Sequence, residues 1–72
     1  MSKPPTCVTH YMSQTKMTAA EIREYIRGEL ALFTARREAM PAPKVASEDD
    51  WIAFKLGCTA FQARRAITWA EA

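Results

Sequence analysis

Very little in this 72-residue sequence resembles the raw material of an active site: it holds one histidine, two cysteines and two glycines. With His10 alone, a nucleophile–base arrangement built on histidine has few parts to draw on. Gly28 and Gly57 lie too far apart for a glycine-rich phosphate loop. Cys7 and His10 have ligand-like spacing and Cys58 is a third candidate, but a structural zinc site needs four ligands. Asp49 and Asp50 are neighbours, so on a helix they point in different directions and suit the helix dipole better than acid–base chemistry. No metal, cofactor or small-molecule substrate is expected, and the chain reads as a non-enzymatic binding protein. Its size agrees, because a core this small supplies only ~3–5 kcal/mol and leaves little chain to line a deep cleft.

Long apolar runs are also missing. No segment approaches a transmembrane span, and the N-terminus lacks the apolar stretch of a secretory signal. The expectation is a cytoplasmic protein, off the membrane, with reduced thiols. Charge of one sign is scarce too. The formal net charge of +2 is too weak to announce a nucleic-acid binder. Its distribution says more. Lys3 and Lys16 stand without acids up to Met17. Between Thr18 and Met40 four arginines balance four glutamates. Glu48, Asp49 and Asp50 form an acidic knot, and from Trp51 to Trp69 only Lys55, Arg64 and Arg65 are charged.

What is present organises as all-α: a small three-helix domain at 17–72 behind an extended N-terminal tail at 1–16. Pro4 and Pro5 favour extended chain. The run Thr6 to Tyr11 is β-branched and aromatic but has no strand partner, so it reads as disordered or as a segment that docks on a partner through Val8, His10 and Tyr11. The first helix starts at Thr18, where Thr18 and Glu21 match a capping box and Met17 with Ile22 a hydrophobic staple. Ile22, Ile26, Leu30 and Phe33 share one face. Gly28 weakens this helix by ~1 kcal/mol and marks a bend or a close helix contact. Pro41 and Pro43 end it, leaving 40–46 as a stiff linker.

Ser47 caps a second helix whose stripe is Trp51, Ile52 and Leu56. Gly57 stops it. Thr59 and Gln62 form another capping box, opening a third helix that carries Ala63, Ala66, Ile67 and Ala70. A small residue at Ala53, four before the turn at Gly57, gives 48–70 the pattern of a helix-turn-helix. Ile52, Ala53, Leu56, Gly57, Cys58, Ala63 and Ala66 stand where the Cro and repressor family has core positions, and the segment resembles that family over about twenty residues.

The resemblance implies that the third helix enters the DNA major groove, with Thr59, Ala60, Phe61, Arg64, Arg65 and Thr68 facing bases and phosphates. Lys55 is a further candidate nucleic-acid contact. Phe61 would put an apolar ring at that surface, and the acidic knot would repel phosphate. Both favour a protein partner, for which Phe61 and Trp69 beside Arg64 and Arg65 have hot-spot composition unless they complete the core.

In overall plan the chain is similar to small phage-encoded transcription regulators that bind bacterial RNA polymerase. That resemblance implies contact with the large polymerase subunits, displacement of the promoter-recognition factor and suppression of terminators. It makes the segment Lys3 to Tyr11 the linear contact to a polymerase subunit and the Arg64–Arg65 surface the second, to protein or to nearby nucleic acid; with the residues read above, the candidate partner contacts are Lys3, Val8, His10, Tyr11, Phe61, Arg64 and Arg65. A Cro-like DNA-binding repressor is the alternative reading.

Overall fold

A computed structural model describes residues 3–39 and 47–72 and is helical wherever it is regular. Four helices follow in order: α1 (Thr6–Thr15), α2 (Ala19–Ala39), α3 (Glu48–Leu56) and α4 (Ala60–Glu71). The reading of 40–46 as a linker lies outside the described residues.

The first helix corrects the expectation of an extended tail and of three helices. Pro5 sits just before α1 with extended backbone (φ −66°, ψ 162°), where a missing N–H costs nothing. Its carbonyl accepts the amides of Val8 and Thr9, both at 3.0 Å. Hydroxyls of its last turns fold back onto the helix: Ser13 donates to the His10 carbonyl and Thr15 to that of Tyr11, each at 2.8 Å. Tertiary burial then overrides propensity, because Cys7 and Val8 enter the core and Tyr11 stacks on Tyr25 of α2 with ring centres 6.0 Å apart. Burial, with the Tyr11 hydroxyl nearby, pushes the Tyr25 phenol up to about 12. Lys16 ends the helix in the left-handed region (φ 60°), its amide donating to the Met12 carbonyl.

The other helices start as their sequences dictate. Thr18 and Glu21 exchange the two bonds of a capping box, at 2.9 and 3.2 Å. Those bonds hold the Glu21 carboxyl below its ordinary range. Ser47 accepts the Asp50 amide, and Thr59 with Gln62 completes a second capping box. Ile22, Ile26, Leu30 and Phe33 of α2 are all buried. Gly28 is exposed, and a Cβ there would meet nothing within 4 Å, so a close helix contact is not its reason.

The core forms where α4 meets the other three helices. Ala63 and Ala66 are fully buried, and their small side chains let α4 approach its neighbours closely. Ile52, Leu56, Ile67, Trp69 and Ala70 join the same cluster as Cys7 and Val8. Between α3 and α4 the chain turns at Gly57 (φ 72°, ψ 39°), and the amides of Gly57 and Cys58 both reach the Ala53 carbonyl. A Cβ on Gly57 would meet no neighbour, so Gly57→Ala suffers only the left-handed backbone cost. It is expected to lose about 1–2 kcal/mol in chemical denaturation. An unchanged midpoint would mean that the turn relaxes to another conformation.

Candidate partner-binding surface

The residues singled out from the sequence separate into three groups. Some are core. Val8 is 0 % exposed and cannot reach a partner, which corrects its reading as a contact residue. Trp69 is likewise buried, with the Arg23 guanidinium 4.7 Å above its ring. Tyr11 is half-buried against Tyr25, while His10 is exposed.

A second group is held by partners within the chain. Arg64 reaches from α4 back to the start of α3. Its Nε donates to Asp49 Oδ1 at 2.7 Å, and its Nη2 sits 2.6 Å from the same oxygen and 3.2 Å from Glu48 Oε1. The Asp49 hydrogen bond is the main reason its pKa rises further, so this cation never titrates in the working range. Two acids of the knot and the arginine, read from the sequence as opposed influences on a partner, thus pair with one another across the turn, while Asp50 accepts from the Ser47 hydroxyl. Lys55 is drawn inward in the same way. Its Nζ lies 3.4 Å from Oε1 of Glu29, a residue only 7 % exposed, and 5.0 Å from the centre of the Trp51 ring. The Thr59 hydroxyl caps α4, and the Thr68 hydroxyl donates to the Arg64 carbonyl at 3.0 Å.

The third group is free to meet another molecule. Of the five residues read as nucleic-acid contacts (Lys55, Thr59, Arg64, Arg65 and Thr68), only Arg65 has no hydrogen-bond or ion-pair partner among the described residues. Phe61 is 74 % exposed on the outer face of α4, one turn from Arg64. Phe54 of α3 is 81 % exposed, and sequence reading passed over it. Its signal was available: Phe54 falls midway between the buried Ile52 and Leu56, on the opposite side of a helical wheel. Leu32 of α2 is a further large exposed apolar side chain among the described residues. Lys3, from the start of the chain, and Arg65, from α4, are brought to one cleft of about 340 Å³.

The cysteines are placed for packing rather than reactivity. The Cys7 thiol donates to the Gln62 carbonyl at 3.4 Å. Burial, then the neighbouring Cys7, pushes the Cys58 thiol up to about 11, so it holds little of the thiolate that nucleophilic chemistry needs. Among the described residues no three His, Cys, Asp or Glu side chains converge as a metal site would require, and no helix is long and apolar enough to cross a membrane.

The exposed features are therefore Phe61 one turn from an internally paired arginine, Phe54 on α3, and a cleft holding Lys3 and Arg65, two cations without a partner among the described residues. Comparison adds no relative: no family model, curated protein or solved structure matches the chain.

Proposed function

We propose that the chain is a non-enzymatic transcription regulator that binds the large subunits of bacterial RNA polymerase and inhibits initiation, termination or both. The observation that carries this reading is the outward face of α4, where a solvent-exposed Phe61 stands beside an arginine already bound to Asp49 and Glu48. A surface made to hold phosphate keeps its cations free, whereas aromatic side chains and arginine are enriched where proteins meet. In this reading α3, the Gly57 turn and α4 are a helix-turn-helix used to grip protein, and the protein acts in the cytoplasm of a bacterial host, encoded by a phage. The resemblance in overall plan to phage-encoded polymerase regulators supplies the partner's identity.

Transcription by a purified bacterial polymerase holoenzyme, on a template with one promoter and one terminator, tests the proposal. Excess protein is expected to lower promoter-dependent transcript or raise read-through. Phe61→Asp, at an exposed site that leaves the core alone, is expected to weaken the effect about tenfold or more, as for an interface anchor. Unchanged transcription with the wild-type protein in excess would sink the reading. The Cro-like repressor alternative draws on Arg65, which remains free. A sequence-specific DNA complex formed without polymerase and lost in Arg65→Ala would favour it instead.

A further inference from the structure

We propose that the cleft between the N-terminal turn and α4 is a binding site for a phosphate-type oxyanion. Lys3, Pro5, Thr6 and Cys7 form one side, and Gln62 and Arg65 the other. An adjoining lobe of about 240 Å³ shares Lys3, Pro5 and Arg65 and extends to Thr68 and Trp69. Among the described residues no aspartate or glutamate lines either lobe, and the smaller lobe reaches Ala72. The larger lobe has room for on the order of ten water molecules, enough for one hydrated phosphate group.

The charges are what set this cleft apart. Most of the other described cations are occupied: Arg64 by Asp49 and Glu48, Lys55 by Glu29, Arg27 by Glu24, and Arg23 and Arg36 by tryptophan rings, while Lys16 stands alone at the end of α1, away from the cleft. Lys3 and Arg65 are both exposed, and neither has a partner among the described residues. Two cations that are unpaired among the described residues, from distant parts of the chain, thus share one concavity, and their combined field favours an anion there. A guanidinium fork and an ammonium are the usual pair of phosphate ligands, one directional and one a point charge.

The backbone adds to this. The first intrahelical bonds of α1 start at Val8 and Thr9, so the amides of Thr6 and Cys7 precede them on the wall of the cleft, at the positive end of a ten-residue helix. Pro5 provides no side-chain cap and the first turn holds no acid. The shared chemistry is a phosphoryl oxyanion, free or on a small molecule, or carried in a nucleic-acid backbone. The site does not depend on the polymerase reading.

The test is a titration of the isotope-labelled full chain, followed by amide and arginine side-chain NMR signals, first with inorganic phosphate and then with a short DNA duplex. Inorganic phosphate is expected to shift the Thr6 and Cys7 amides and the Arg65 Nε signal saturably. The Lys3→Gln, Arg65→Gln double variant is expected to weaken binding at least about tenfold, the equivalent of one charge-assisted hydrogen bond. Both side chains are exposed, so the variant's free spectrum should overlay the wild type, and Arg27→Gln serves as the control that changes nothing. If the duplex moves the same signals, competes with phosphate and loses affinity in the double variant, the natural source is a nucleic-acid backbone. If phosphate alone binds, the source is a free or small-molecule phosphate. Non-saturating shifts, or saturable binding that the double variant leaves unchanged, would overturn the site.

Discussion

Val8→Asp is expected to abolish the cooperative helical fold at room temperature, while Thr9→Asp, one residue later, leaves it intact. Val8 is 0 % exposed and shares its cluster with Ile22, Ile52 and Ile67. A carboxylate there loses its hydration and gains no cation, a penalty of several kcal/mol per ion. The core of a chain this size supplies only ~3–5 kcal/mol, so one such change is enough. Thr9 is exposed, and the only bond at stake is a long one, 3.4 Å from its hydroxyl to the Pro5 carbonyl. Circular dichroism melts of the two variants provide the comparison. A Val8→Asp melt that matches wild type would show that α1 stands outside the cooperative unit. The result also bears on how the proposed function is tested. Deleting residues 1–11 removes Cys7 and Val8 from the core and the Tyr11–Tyr25 stack, so lost binding would report unfolding rather than a lost contact. Substitutions at exposed Lys3, His10, Phe61 and Arg65 avoid that confusion.

What could be read from the sequence was local. The capping boxes at Thr18 and Thr59, the cap at Ser47, the stripe Ile22, Ile26, Leu30 and Phe33, and the turn at Gly57 each rest on residues within a few positions of one another. Helix α1 was harder because propensity and pattern disagreed. Thr6, Val8 and Thr9 are β-branched and follow two prolines, which favours extended chain. Yet Val8, Tyr11 and Met12 already lie three and four apart, the spacing of a helical stripe, and a proline directly before a helix is a normal start. Burial against α2 and α4 decided between the two, and no local signal reports burial.

The candidate surface was legible by residue type and not by state. Arg64 and the acids at 48–50 were visible as separate charges. Their pairing spans 15 and 16 residues and depends on the angle at which α4 folds back over α3. Likewise the meeting of Lys3 with Arg65 follows only from the docking of α1.

The same long-range pairing makes Lys55→Met the second large effect. Glu29 lies on α2 with a side chain 9 % exposed, and Lys55 on α3 with one 32 % exposed. Replacing Lys55 leaves the carboxylate in place without its cation and removes the ammonium from the Trp51 face. Breaking one side of a fully buried pair costs about 3–5 kcal/mol; the partial exposure of Lys55 reduces that to roughly 2–4 kcal/mol. The reverse change is expected to be milder. In Glu29→Leu the lysine can swing its flexible stem into solvent, and the new side chain adds apolar burial next to Leu30 and Phe33 of the same helix. Glu29→Leu combined with Lys55→Met should therefore recover most of the loss, because neither charge is then left behind. Chemical denaturation of the four proteins of this cycle gives the coupling energy directly. If Lys55→Met costs no more than Glu29→Leu, the pair is solvated, and α2 and α3 are held together by Phe33 on Trp51 instead. If it costs more, the carboxylate that α2 brings into the interior is tolerated only because α3 supplies Lys55. That dependence fixes how α3 sits on α2, and through the α3–α4 turn it fixes where Arg65 and Phe61 are presented.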